Sequence, residues 1–304
     1  MLNIAIIGAG FAGCYLYNRL KKLGNNITIF EKSRGTGGRL SSKNIENRFI
    51  DYGTTKFSTK DPDFIYFCNK LTKEGLLTKY ENTYTPTKGI NSICKSLINK
   101  DDLVTSTKIV SCYKSKNKWL LKDEENNSFK DYDLLILTIP APQILELNID
   151  MQNDIKSKLQ LVKYNSIATL IMHSSSKFKI DESLIKSDFF KYVSDNSIKY
   201  DYDDFSSYVF HVNEQFSTSN NYRTKENLGD LIYKYIEYYQ SSKLTKEINI
   251  IPHLWKYALV DVGINELEYY YSKSEELSIC SDYFKTKNLE GSFVSARAFL
   301  DELI

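Results

Sequence analysis

Residues 2–13 read Leu2-Asn3-Ile4-Ala5-Ile6-Ile7-Gly8-Ala9-Gly10-Phe11-Ala12-Gly13. Leu2 to Ile7 is a short apolar run without alternation, the pattern of a parallel strand buried on both faces. Gly8, Gly10 and Gly13 then meet the G-x-G-x-x-G spacing. Apolar residues at helical spacing follow from Phe11 to Leu23, Gly24 stops the helix, and Ile27 to Phe30 reads as a second strand ending at Glu31. That order of strand, turn, helix, strand and acid gives the glycine pattern a physical meaning. Gly8 permits the tight turn, Gly10 lets the backbone approach a pyrophosphate, and Gly13 lets the helix pack closely on the strand. The helix N-terminus, with Phe11 and Ala12 in its first turn, offers free N–H groups and a partial positive charge to phosphates. Glu31 is placed to accept hydrogen bonds from ribose hydroxyls, and its charge disfavours a 2′-phosphate. The chain is therefore expected to open an α/β fold with a Rossmann-like dinucleotide-binding domain.

The 304 residues suit two domains, and a hydrophobic content of 42% supports a substantial core. Lys and Arg (40) nearly balance Asp and Glu (38), so no strong field draws nucleic acid or anionic lipid. Cys14, Cys68, Cys94, Cys112 and Cys280 form no CxxC pair, which points to reduced thiols and a cytoplasmic protein. Met1 leads at once into a strand, leaving no room for a signal peptide. No apolar run approaches the roughly 20 residues of a membrane span, so no integral membrane segment is expected.

Further along, residues 61–84 read as helical and then irregular, and Asn91 to Ile98 as a helix after Gly89. Residues 103–139 read as strands with polar turns, including the apolar Leu134-Leu135-Ile136-Leu137 that Pro140 closes. The middle, about residues 148–251, has strand-like stretches at Ser166–Met172 and Tyr208–Asn213 and an amphipathic helix over Leu228–Tyr239. Leu289 to Leu303 reads as a terminal helix entered through Gly291.

Glu31-Lys32-Ser33-Arg34-Gly35-Thr36-Gly37-Gly38-Arg39 carries two adjacent glycines and an arginine. Such a loop can fold back over the pyrophosphate, with the Arg39 guanidinium offering a planar fork to phosphate oxygens. The segment resembles the GGR extension of the flavin amine oxidase group, in which the bound nucleotide is FAD. Within that group the chain most resembles the renalase family. The resemblance rests on this segment, on Asp51-Tyr52-Gly53-Thr54-Thr55-Lys56-Phe57 with Asp61-Pro62, and on Ile139-Pro140-Ala141-Pro142-Gln143. It rests also on Pro252-His253-Leu254-Trp255-Lys256-Tyr257-Ala258 and on Leu289-Glu290-Gly291-Ser292 with Ser295-Ala296-Arg297. The chain departs from the family at Thr55-Lys56, where Gln-Tyr usually lies beside the flavin. Further departures are Ser42-Lys43 in place of an arginine pair, Ala296 in place of Gly, and Ser281 before Asp282.

The resemblance implies a discontinuous FAD-binding domain over 1–60, 86–147 and 262–304, with helices on both sides of its parallel sheet. A second α+β substrate domain with a mostly antiparallel sheet would take 61–85 and 148–261 and cover the flavin, with the substrate at the interface of the two. Carried over by position, Lys32, Gly38, Gly53, Thr54 and, through its backbone, Ile109 join the FAD contacts. Asp282 would bond the ribityl chain, and Leu289, Glu290 and Gly291 would present N–H groups to the flavin N1–C2=O edge. A helix N-terminus aimed there would stabilise the charge of a reduced flavin.

The remaining candidates bear on chemistry. There is no Ser-His-Asp set, no H-E-x-x-H and no metal-ligand cluster among the three histidines, His173, His211 and His253. His253 is favoured because Trp255 and Tyr257 lie beside it. The latter two alternate on a strand, so they face one way and could sandwich a planar ring or cage a cation. Thr55 and Lys56 complete the catalytic set, Lys56 as a charge beside the isoalloxazine or on a substrate phosphate. By resemblance the activity is that of an oxidase taking a hydride from a dihydronicotinamide-type or related nitrogen-containing small molecule, with molecular oxygen as acceptor. An amine oxidase or desaturase acting on another small or lipid-like substrate is the alternative. A non-catalytic flavin-binding protein is the reading from another class.

Overall fold

The computed structural model describes residues 1–244 and 247–304, which form two compact units. The first comprises residues 1–41, 56–163 and 260–304; the second comprises 42–55 and 164–259. These boundaries differ from the sequence expectation in three places, one of them residues 148–163, which join the first unit because Asn148–Ile149 pairs with the strand Ile109–Ser115. Residues 61–85 pack in the first unit, because the helix Pro62–Lys73 sets Phe64 against Phe11 and Phe293, at ring separations of 5.5 and 4.6 Å. Residues 42–55 pack in the second, as the hairpin Ser42–Ile45/Arg48–Asp51. Glu46 and Asn47 turn it with positive φ (51° and 64°), the backbone of a tight hairpin turn.

The first unit is built on a six-stranded sheet. From one edge its strands are Tyr270–Ser272, Leu277–Ile279, Leu134–Leu137, β1 (Asn3–Ile7), β2 (Asn26–Phe30) and Leu103–Val104. All neighbours run parallel except the first pair. Ile4 stands in register with Leu134 on one side and Ile27 on the other. Leu134–Leu137 is buried throughout and β1 after its first residue, as two-sided burial demands. Helices cover one face. There α1 (Phe11–Lys22) packs through Leu16 and Leu20 in a core shared with Phe293 and Phe299 of the terminal helix Asn288–Leu303. The other face departs from the expectation of helices on both sides: Phe30 meets Phe129 (4.7 Å) and Tyr132 of a four-stranded, largely antiparallel sheet. Residues 77–84, expected to be irregular, lie in the hairpin Leu77–Tyr80/Thr83–Pro86.

The second unit carries the antiparallel sheet expected of it. Its strands lie in the order Phe190–Asp195, Ser206–Val212, Lys163–Ser174 and Asn249–Val262. Pro252, which cannot donate to a ladder, sits on the edge strand. The helix Lys225–Tyr239, capped by Thr224, buries Leu228, Ile232 and Ile236 in one core with Leu170 and Phe210. At Gly229 the approach is so close that a Cβ would lie 2.6 Å from Pro252. Among the described residues no helix is long and apolar enough to cross a membrane, and no metal-binding cluster is found.

Candidate functional site

The glycine turn folds as its spacing predicts. Gly8 takes φ +107°, and a Cβ on Gly13 would lie 2.1 Å from the Gly8 carbonyl oxygen, so helix and strand touch there through bare backbone. Gly10 differs: it is the N-cap of α1, and a Cβ added to it would meet nothing within 4 Å. No side chain caps α1, and its first turn holds no acid, whereas Arg19, Lys21 and Lys22 occupy its last turn. The terminus thus keeps unsatisfied N–H groups and its positive end facing open space, which is what an anion needs.

The loop after β2 folds back over this turn. The Gly37 N–H donates to the Ala9 carbonyl at 2.8 Å, and Gly38 lies so near Gly10 that its Cβ would be 3.3 Å from the Gly10 Cα. Both glycines hold positive φ (125° and 56°), which Gly alone adopts at little strain. Within this loop, Thr36 is buried and its hydroxyl has no protein partner among the described residues. A buried hydroxyl is rarely left so, and a ligand oxygen would satisfy it. Open face, uncapped terminus and orphan hydroxyl together fit a diphosphate. Thr36 went unremarked in the sequence, where only its position between glycines marked it.

Glu31 is buried and already braces the turn. Its carboxylate accepts from the Ala9 N–H at 2.9 Å and the Ser33 N–H at 2.8 Å, which leaves lone pairs for a ribose. Lys32 is exposed. Ile109 is buried two residues beyond Thr107, whose N–H bonds the Glu31 carbonyl. The Arg39 fork does not stand alone: its two terminal nitrogens donate to the two oxygens of Asp282 at 2.7 and 2.6 Å. Two residues given separate ligand roles are thus one bidentate ion pair, with Asp282 buried.

At the terminal helix, Gly291 is required by packing, since a Cβ there would lie 1.6 Å from the Thr286 carbonyl oxygen. Glu290 turns its carboxylate to the Thr59 hydroxyl and to the N–H groups of Lys60 (2.6 Å) and Asp61 (3.0 Å). Burial pushes its pKa up, but these bonds hold it below the ordinary glutamate value. The Glu290 side chain therefore fixes the start of the terminal helix, while its own N–H bonds the Asn288 side chain. Leu289 packs against the core of the unit.

In the second unit, His253, Trp255 and Tyr257 share one face of the edge strand. His253 and Trp255 lie 4.2 Å apart, and Tyr52 packs against both, stacked on Trp255 at 5.4 Å. Tyr257 instead meets Tyr164 edge-on at 5.5 Å. Tyr52 is held at its carbonyl, which accepts from Trp255 Nε1 (3.2 Å) and from His211 Nε2 (2.9 Å). Because a carbonyl only accepts, His211 carries its proton on Nε2. His253 has its pKa depressed to about 4, first by burial and then by Lys43, Lys225 and His211. It is neutral near pH 7. Lys43 lies 5.3 Å over the Tyr52 ring, so this aromatic corner has a positive rather than a negative rim. Gly53 and Thr54 are half-buried and Thr55 is buried, while Lys56 is exposed and belongs to the first unit.

The chain has relatives among known proteins. It is similar to renalase. The mouse (Mus musculus) protein is 27% identical over 197 residues, 55% of this chain and 56% of renalase. A 4,4'-diapophytoene desaturase from Staphylococcus aureus is 29% identical over 106 residues, 34% of this chain and 19% of that protein. The chain thus spans about half the length of renalase and a fifth of the desaturase. Residues 6–71 match the model of an NAD(P)-binding Rossmann-like domain. Among solved structures, a fatty acid isomerase from P. acnes aligns with a TM-score of 0.68 at 12% identity, covering 100% of this chain and 99% of that one. A putrescine oxidase aligns at 0.66 and 10%, covering 99% of each chain. These likenesses establish the α/β fold and its Rossmann-like domain.

Proposed function

We propose that the chain is an FAD-dependent oxidoreductase that removes a hydride from a dihydronicotinamide-type or related electron-rich nitrogen heterocycle, with oxygen as the terminal acceptor. The observation that carries the proposal is the uncapped terminus of α1, which faces open space at Gly10 beneath the folded-back Gly37-Gly38 loop. Gly8 to Gly13 and Thr36 would hold the diphosphate, Glu31 the ribose, and Asp282 with Arg39 the ribityl end. Leu289 to Gly291 open the helix whose positive end suits a reduced flavin. When bound, FAD supplies hydride acceptance and electron transfer to oxygen.

The protein's own share is then binding and electrostatics. Neutral His253 can donate or accept one hydrogen bond to a substrate, and Tyr52 and Trp255 give a planar ring a stacking surface. The charges felt by His253, from Lys43 and Lys225, both lower its pKa. That field repels a protonated polyamine and tolerates a neutral or anionic heterocycle, which favours the heterocycle over the amine. The relatives named above, a renalase among them, support an oxidoreductase of this kind.

The test is anaerobic mixing of purified yellow protein with dihydronicotinamide isomers and with a panel of amines. Bleaching of the flavin band by the former, with recolouring in air, is the expected result. Bleaching by amines alone would replace the substrate assignment. Bound flavin that no donor bleaches would favour a binding protein without turnover.

A further inference from the structure

Ala9, between the first two glycines of the turn, is fully buried, and both of its backbone polar groups are held by protein. Its N–H donates to the Glu31 carboxylate at 2.9 Å. Its carbonyl accepts twice, from the Gly37 N–H at 2.8 Å and from the Cys14 thiol at 3.3 Å. The Gly37 bond closes the loop over the turn, whereas the Cys14 bond comes from the first turn of α1 itself. Cys14 is also fully buried, and its sulfur meets the thiol of Cys94 on the neighbouring helix Ser92–Leu97. Burial above all, then Cys94 and the charge of Glu31, push the Cys14 pKa up, so the sulfur keeps the proton it donates. A thiol in such surroundings is a poor nucleophile, and what it can offer is a hydrogen bond.

A trans peptide is planar and points its N–H opposite to its carbonyl. The peptide that joins Ala9 to Gly10 is trans. Two donors on the Ala9 carbonyl therefore fix the direction of the Gly10 N–H, which points away from Cys14 and Gly37. Among the described residues nothing accepts from that N–H, and a Cβ on Gly10 would meet no atom within 4 Å. In the covering loop the hydroxyl of Thr36, 8% exposed, likewise has no protein partner among the described residues. A backbone donor on the turn and a hydroxyl in the loop that closes on it thus both call for an acceptor. Every group involved lies in the first unit.

We infer that Cys14 is a positioning residue for the nucleotide: its thiol, with the Gly37 N–H, pins the Ala9 carbonyl and so aims the Gly10 N–H at the diphosphate. The inference rests on the proposed function for the identity of that ligand, not for the pinning of the turn.

The test compares Cys14→Ala with Cys14→Ser, which shrink the side chain almost equally while only serine keeps a donor. In protein freed of flavin, amide exchange at Gly37 runs about tenfold faster in the alanine variant than in the serine variant. The dissociation constants for FAD and for ADP, which carries the diphosphate and ribose without the flavin, rise together by about tenfold in the alanine variant. In the serine variant both stay within about threefold of the wild type. Affinities that fall equally in the two variants overturn the donor role and leave Cys14 as packing alone. A loss for FAD without one for ADP overturns the aim at the diphosphate. Should neither variant fold, the wild type decides: its Gly10 amide exchanges readily without nucleotide and is protected by ADP. A Gly10 amide that is protected beforehand, or that ADP leaves untouched, overturns the inference. A wild type that takes up neither FAD nor ADP refutes the proposed function and with it the ligand, while the Gly37 comparison still supports or overturns the pinning.

Discussion

At the scale of the residue, His253 shows how surroundings choose a protonation state. Its imidazole lies among aromatic rings, and burial removes the water that would solvate an imidazolium; Lys43 and Lys225 add repulsion. In the unfolded chain the group titrates near 6.5, in the fold near 4. The folded value is the lower, so the unfolded chain binds the proton first as pH falls. The contribution to stability is complete above about pH 6.5, fades between there and about pH 4, and does not decline further below. Its size is on the order of 3 kcal/mol, from the fall between 6.5 and about 4. Urea unfolding followed from pH 7.5 to 4 should show this loss, and His253→Phe should remove that part of the slope. A ring that titrates near 6.5 by NMR would contradict the reading.

At the scale of the element, the opening helix separates the two uses of glycine. Gly13 is required by protein packing, since any Cβ collides with the Gly8 carbonyl; at Gly10 no packing reason exists, since its Cβ would meet no protein atom at an ordinary φ of −73°, and the proposed function assigns that space to a ligand. Gly13→Ala is therefore expected to cost about 1–3 kcal/mol of stability and to weaken nucleotide uptake as well. Gly10→Ala should leave the melting temperature of the flavin-free protein within a degree or two yet lower FAD affinity by about tenfold or more. Thermal melts with and without FAD measure both. Equal losses in the two variants would mean that Gly10 is only a structural glycine. This element was legible in the sequence because a strand, a turn and a helix announce themselves within thirty residues through apolar spacing. The helix Pro62–Lys73 was only half legible: Phe64 and Phe67 mark a buried face, but which core receives it is decided by Phe11 and Phe293, far away along the chain. Lys199 was not legible at all. A lysine in a polar, tyrosine-rich stretch reads as a solvated surface charge, and only the packed sheet reveals that it is enclosed with Asp51.

At the scale of the whole molecule, the first unit is assembled from three stretches of chain, and its beginning must find its end. The Arg39–Asp282 fork spans 243 positions, and its neighbourhood holds Gly291 against Asp282 and Thr286. Closing so long a loop costs entropy that grows only slowly with length, so one well-placed pair can bias the closure. The pair is asymmetric: Asp282 is 2% exposed at its side chain and Arg39 33%. Arg39→Ala would strand a buried carboxylate, and the expected cost is about 3 kcal/mol, the low end for a broken buried pair because water reaches the arginine side. Arg39→Met with Asp282→Asn leaves no lone charge and should recover most of that loss in urea unfolding. A single variant that costs less than about 1 kcal/mol would class the pair with ordinary surface contacts. Added FAD discriminates further. At about a hundred times its dissociation constant it should stabilise the wild type by roughly 2.7 kcal/mol. The double variant, which keeps the α1 terminus but loses the charged pair proposed to hold the ribityl end, should need more FAD for the same gain. If both proteins gain equally at equal FAD, the fork joins the ends of the chain and takes no part in holding the cofactor.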